Sequence, residues 1–426
     1  MVIYVVKAGD SIYKIAREYG VSVESIVNAN GLRNPENLVV GESLVIPAVS
    51  RSYTVEPGDS LYSISRQFNV SLAQLRAANP QITNPNMIYP GQTVQIPSGS
   101  GDTPWGTLAV NGYSYPTINQ DILNAAMPGL SYLSIFSYQV LPDGSLSTMN
   151  EQPLINTVRA NNIAPKMVIT NIAEDGFSSS LAETILTDTA VQDRLLENVA
   201  AVMRQKNYTG LNVDFEYIYP RNREDYNRFM EKARGVMDAN GWTLSSALAP
   251  KVSSDQPGLL YEAHDYAAHG RIADFVILMT YEWGYLKGPP LPVAPLNQVR
   301  RVIEYAVTQI PPNKILMGIP NYGYDWTLPF VPGSSATVLT NPGAVELAFR
   351  VGAQIKFDPA AQSPYFNYYD SNGREHIVWF EDARSIYAKM ELVREFGLKG
   401  VSYWTINTPF QQNWTIVNTL WNVQKM

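Results

Sequence analysis

From Trp105 onward, short apolar runs rich in β-branched residues alternate with stretches of helical periodicity. The runs are 108–113, 132–138, 166–172, 210–216, 243–249, 275–281, 315–322 and 400–405, and each predicts a strand. Between them the apolar positions recur every three or four residues, as in 191–206, 223–239, 299–308 and 383–396, which predicts helices. Eight strands alternating with helices predict an α/β fold, a (β/α)8 barrel over residues 105–426. The gap between the seventh and eighth strands is long. It holds SPYFNYYDSNGREHIVWF, a hairpin pattern, and predicts a small α+β insertion at about 324–380.

The first hundred residues follow another pattern, which repeats. Residues 4–47 and 53–97 align at Tyr4/Tyr53, Gly9-Asp10-Ser11/Gly58-Asp59-Ser60, Ile15/Ile64, Asn30/Asn79, Gly41/Gly91 and Ile46-Pro47/Ile96-Pro97. Each repeat reads as strand, helix, helix, strand. Gly-Asp-Ser is a turn ending in helix-capping residues. Ile12, Ile15, Ala16 and Tyr19 then follow at helical spacing, as do Leu61, Ile64, Ser65 and Phe68. Ser71 and Gln74 form a capping-box pattern. The repeats are expected at 1–48 and 52–98, and SGSGDTP at 98–104 reads as a flexible linker.

Within the fourth barrel strand, Leu211-Asn-Val-Asp-Phe-Glu216 alternates apolar and polar residues. In an isolated antiparallel sheet the polar face would be a solvated one. Helices cover a barrel, so Asn212, Asp214 and Glu216 instead point inward, with Glu216 at the C-terminal rim where barrel active sites form. Two carboxyls so placed share a proton, which raises one apparent pKa and suits a general acid.

Composition narrows the chemistry. The 426 residues include no cysteine, which removes thiol nucleophiles, thiolate metal sites and disulfides. The three histidines, His264, His269 and His376, make no zinc motif, and no metal or cofactor is expected. The net charge is −7, and residues 1–100 carry seven basic and seven acidic side chains, so the acidity belongs to the larger domain. An acidic chain without basic clusters is a poor nucleic-acid partner. No apolar run is long enough to span a membrane, and MVIYVVKAGD lacks the basic start expected of a signal peptide.

The two repeats resemble the LysM module, through GDS-[IL]-Y-x-I-[AS] and N-P-…-G-x-x-[LV]-x-IP. The resemblance implies binding of N-acetylglucosamine-containing glycans by the loops carrying Gly9, Asp10, Ser11, Ile12 and Asn30, and Gly58, Asp59, Ser60, Leu61 and Asn79. Residues 105–426 resemble glycoside hydrolase family 18. Thr209-Gly-Leu-Asn212-Val-Asp214-Phe-Glu216 stands for D-x-x-D-x-D-x-E, Met279-Thr-Tyr281-Glu282-Trp283 for M-x-Y-[DN], and Met317-Gly-Ile-Pro-Asn321-Tyr322-Gly for M-G-x-P-x-Y-G. Thr209, Asn212 and Glu282 depart from the family's aspartates, and Thr170-Asn171-Ile172-Ala173 replaces S-x-G-G.

The resemblance implies substrate-assisted, retaining hydrolysis. Glu216 would be the acid, Asp214 would orient the substrate's acetamide with Asn212 beside it, and Tyr281 would donate to the acetamide oxygen. Trp404 would floor the sugar, and Glu282, Asn321, Tyr322 and Trp283 would be further substrate contacts. Two LysM modules before such a barrel resemble spore-cortex-lytic N-acetylglucosaminidases. That implies peptidoglycan strands or cortex muropeptides as partners, and a spore coat or cortex location reached without export. A chitinase, a non-catalytic glycan-binding scaffold and a LysM-anchored peptidase or amidase are the alternatives. Glu216 argues against the scaffold, and the missing cysteines and metal ligands against the last.

Overall fold

The computed structural model describes residues 1–47, 51–68, 70, 72–79, 81, 82, 84, 85, 87–96 and 105–426. The expected linker 98–104, the outer bounds of both repeats at 48 and 98, and the Ser71–Gln74 capping box fall outside what can be described.

Eight parallel strands close into a barrel: Thr107–Ser114, Tyr132–Gln139, Ala164–Thr170, Gly210–Asp214, Thr243–Leu248, Phe275–Leu278, Ile315–Pro320 and Gly400–Trp404. The eighth pairs back onto the first, with Gly400 opposite Ala109 and Ser402 opposite Asn111. Polar side chains inside the barrel satisfy one another, as burial requires. Asn111 donates to Ser402 Oγ (2.9 Å) and accepts from Ser134 Oγ (2.9 Å). At the N-terminal end, Lys166 plugs the barrel: its Nζ donates to Thr243 Oγ1 (2.6 Å) and lies 4.9 Å from the Tyr132 ring centre. Burial pushes this lysine down to about 8.

The surrounding helices begin and end where side-chain chemistry dictates. Asp188 caps Thr189–Lys206 by accepting from the Ala190 and Val191 amides, and Asn207 ends it in the left-handed region (φ 62°). Asp382 and Ser385 form a capping box at Ala383–Phe396, which Gly397 terminates. The inner helix faces carry Val199, Met203, Phe229, Met230, Val302 and Met390, all fully buried against the strands.

Between the seventh and eighth strands lies an antiparallel five-stranded sheet with the helix Asn341–Val351. The expected hairpin is Ser363–Tyr369 paired with Glu375–Trp379. Just beyond it, Glu381 forms a fully buried ion pair with Lys389 (2.8 Å).

Both repeats have the strand–helix–helix–strand order, with Val2–Val5 against Ser43–Ile46 and Arg51–Thr54 against Thr93–Ile96. Gly-Asp-Ser is a structural turn in each. Asp10 accepts from Tyr4 Oη (2.7 Å) and the Lys7 amide (2.7 Å), and Asp59 repeats this with Tyr53 and Glu56 (both 2.8 Å). Ser11 and Ser60 cap the following helices. Asn30 and Asn79 also bond within their modules. Each amide donates to two backbone carbonyls and each side-chain oxygen accepts a backbone amide across the module. Ile12 and Leu61 are buried core residues.

The first module is docked on the barrel. Gln412 donates to Asn30 Oδ1 (3.0 Å) and Ser43 O (2.7 Å), Thr415 to Ala29 O (2.7 Å) and Arg384 to Gly41 O (3.0 Å). The Ile355 amide donates to Val40 O (2.9 Å), and Val39 packs into a core with Ala344, Leu347 and Phe366. A cavity of about 660 Å³ runs along this interface. The matching glycines of the two modules separate docking from backbone strain. Gly41 and Gly91 have nearly the same φ, 88° and 86°, but a Cβ on Gly41 would lie 1.8 Å from Ile355 O, whereas one on Gly91 meets nothing within 4 Å among the described residues. Both Gly→Ala variants should lose about 1–2 kcal/mol to the left-handed conformation. Gly41→Ala should additionally speed hydrogen exchange at the Ile355 amide. Equal exchange there in the two variants would contradict the docking.

Candidate active site

The fourth strand ends at Asp214, so Glu216 stands in the loop just past it. Its backbone is clamped from the third strand's end. Asn171 Oδ1 accepts from the Glu216 amide (2.9 Å), while Asn171 Nδ2 donates to Glu216 O (2.9 Å) and Ser178 O (3.0 Å). Thus Asn171, at the unspecified position of the family's S-x-G-G, holds the Glu216 backbone. His264 braces the preceding residue. Its Nδ1 accepts from the Ala249 amide (2.8 Å), which puts the proton on Nε2, 3.0 Å from Phe215 O. Burial pushes this imidazole down to about 4, so it stays neutral. Tyr217 (φ 54°) and Glu282 (φ 68°) are non-glycine residues in the left-handed region. One follows Glu216 and the other follows Tyr281, so backbone strain sits on both loops of the site.

A cleft of about 600 Å³ opens at this end of the barrel. It brings together six of the expected residues: Asp214, Glu216, Tyr281, Glu282, Trp283 and Trp404. The interface cavity beside the first module is larger but contains none of them, so chemistry rather than size selects the site. Trp404 stands in an aromatic wall, its ring centre 4.7 Å from Phe136 and 5.4 Å from Tyr113. The peptide bonds after Phe136 and Trp404 are both cis.

Three further expected residues have hydrogen-bond partners of their own. Asn212 does not hydrogen-bond Asp214: its Oδ1 accepts from Tyr113 Oη (2.8 Å) and its amide donates to Ser245 Oγ (3.0 Å), one layer down the barrel. Asn321 is buried, and its amide donates to Thr405 O (2.9 Å) and Thr408 O (3.0 Å), so it ties the loops after the seventh and eighth strands together. Tyr322 donates to the Glu282 carboxylate, as does Tyr324 (3.0 Å), so Tyr322 orients a lining residue. Sequence reasoning missed Tyr113, Phe136, Asn171 and Arg301. Tyr113 and Phe136 lie in the C-terminal halves of the first two barrel strands, which was the available signal; Arg301, on a helix, gave none.

The carboxyl pair is electrostatically poised. Asp214 is 4% exposed, and its Oδ1 has no hydrogen-bond partner among the described residues. Burial raises Asp214 to about 7. Glu216 is raised well above the ordinary carboxylate range by burial, then by the charges of Asp214 and Glu282. Glu216 carries this added repulsion, so of the two carboxyls it is the one whose ionisation is opposed more. Tyr281 is pushed up by burial and the same carboxylates, and remains a donor. Glu282→Gln removes a charge that disfavours ionised Glu216, so Glu216 should ionise at lower pH. The basic limb of the kcat/KM profile should then move to lower pH, and an unmoved or raised limb would contradict the coupling.

A pair of acids, Asp214 buried and Glu216 half-buried, at the C-terminal mouth of a (β/α)8 barrel walled by aromatic rings is the site of a glycosidase. The chain belongs to glycosyl hydrolases family 18, whose model matches residues 117–408, and the LysM model matches residues 4–47 and 53–97. It is 43% identical over 432 residues to the cortical fragment-lytic enzyme of Bacillus subtilis, covering 100% of this chain and 99% of that protein. The crystal structure of the Bacillus megaterium spore cortex-lytic enzyme SleL is similar with a TM-score of 0.85 at 39% identity, covering 100% and 99% of the two chains. A chitinase from Chromobacterium violaceum is similar over 73% of this chain and 98% of its own, with a TM-score of 0.69 at 27% identity.

Proposed function

We propose that this glycosidase hydrolyses spore-cortex peptidoglycan at the β-1,4 bond that follows N-acetylglucosamine, with retention of configuration. The observation that carries this is the Asp214–Glu216 pair, set with Tyr281 and Trp404 in one cleft. Full-length similarity to cortical fragment-lytic enzymes supports the choice of glycan.

In this reading N-acetylglucosamine lies on Trp404. Glu216 gives its proton to the leaving oxygen. The substrate's own acetamide oxygen attacks the anomeric carbon, an exception to the two-carboxylate scheme. Asp214 takes the acetamide N–H on its free Oδ1 and stabilises the oxazolinium charge, and Tyr281 donates to the acetamide oxygen. Glu216, now a carboxylate, then deprotonates the water that opens the ring. Holding the nucleophile within the substrate contributes up to roughly 7–11 kcal/mol in well-oriented cases. The second module supplies anchoring on the insoluble glycan, the first being fixed to the barrel.

Incubation with cortex muropeptides, followed by mass spectrometry and NMR of the first product, tests this. Fragments ending in N-acetylglucosamine, released first as the β-anomer, are expected. An initial α-anomer would sink the acetamide mechanism, and cleavage of chitin oligomers alone would assign a chitinase.

A further inference from the structure

Across the barrel from Trp404, which ends the eighth strand, the segments that follow strands four to six give the cleft a different chemistry. Tyr217 and Tyr285 present rings 41% and 46% exposed, and Tyr261, Gln256, Gln298 and Arg301 stand with them. Exposed aromatic rings beside amide and guanidinium donors suit a sugar with a polar substituent. Gln298 and Arg301 lie one turn apart on the helix Leu296–Gln309, and Arg301 donates to Gln298 Oε1 (3.0 Å). Among the described residues Arg301 forms no ion pair. Its chain neighbour Arg300 is held by both oxygens of Glu395 (2.5 and 2.7 Å). Arg301 is also the one Lys or Arg among the described residues lining the cleft, whose acidic members are Asp214, Glu216 and Glu282. An uncompensated guanidinium facing a binding cleft is complementary to an anion on the substrate, and its planar fork matches a carboxylate.

We propose that Arg301, set by Gln298, binds a carboxylate on the sugar beyond the scissile bond and so sets the preference for peptidoglycan over chitin. This rests on the function proposed above. With N-acetylglucosamine on Trp404, the leaving sugar falls against this side of the cleft. In peptidoglycan that sugar is a muramyl residue, which carries a carboxylate on its lactyl ether or on the attached peptide. The corresponding sugar in chitin carries none.

The test compares kcat/KM of the full-length wild type, Arg301→Gln and Arg301→Lys on three tetrasaccharides. These are neutral chitotetraose, a peptide-free muramyl tetrasaccharide with free lactyl carboxylates, and the same glycan bearing stem peptides. In Arg301→Gln, selectivity for an acidic over the neutral substrate should fall by roughly tenfold, mostly through KM, with Arg301→Lys between. Raised salt should narrow the wild type's selectivity in the same direction. A fall on the peptide-free glycan identifies the lactyl carboxylate, and a fall confined to the peptide-bearing one identifies the peptide. Unchanged selectivity while the wild type cleaves all three overturns the carboxylate site alone. A wild type that cleaves only chitotetraose overturns the peptidoglycan reading and this site with it.

Discussion

Glu216→Gln should cut kcat on cortex muropeptides by about 10²–10⁴-fold, the usual contribution of a positioned general acid. Glutamine keeps the shape and the Asn171 clamp, which grips the backbone rather than the carboxyl. It cannot donate a proton to the leaving oxygen or later accept one from water, so both chemical steps slow. KM should change little, because Trp404, Tyr281 and Asp214 still hold the sugar. Asp214→Asn should cost less, about 10²–10³-fold, as the loss of one preorganised charge-stabilising group. Steady-state kinetics on a soluble muropeptide, with binding to the inactive variant measured by calorimetry, gives both numbers. A Glu216→Gln enzyme within a few fold of the wild type would remove Glu216 from the mechanism.

The second large effect is on stability. Lys389→Met should destabilise the fold by about 3–5 kcal/mol, because it leaves Glu381 buried without its cation. The ammonium donates to both Glu381 oxygens, at 3.0 and 2.8 Å, and both side chains are essentially fully buried. Burial already raises Glu381 above the ordinary carboxylate range against the pull of Lys389. Without Lys389 its folded pKa rises further above its unfolded value, so the folded form takes up a proton more readily. The deficit should therefore be largest near neutral pH and shrink as pH falls toward the unfolded carboxylate's pKa. Urea unfolding at two pH values measures this, and Lys389→Met/Glu381→Leu should recover most of the loss. A single variant as stable as the wild type would mean that the pair is hydrated.

Four motif asparagines have partners that the sequence did not show. Asn30, Asn79 and Asn321 carry polar side chains in motifs linked to binding, but buried backbone groups must find partners, and these amides supply them. Asn212 shares a strand face with Asp214, but two residues along a strand place it about 6–7 Å away along the barrel axis, nearer Tyr113 and Ser245.

The sequence by itself determined the alternation of eight strands with helices, the repeated module and the identity of the carboxyl pair. These follow from local periodicity and spacing, which the chain carries residue by residue. Tertiary structure alone decided which aromatic rings face the pair, that Asn171 grips Glu216, that the first module is docked on the barrel, and that Arg301 reaches the cleft with no ion pair among the described residues. Each depends on residues far apart in the chain meeting across the closed barrel or its outer face, and no local pattern encodes such a meeting.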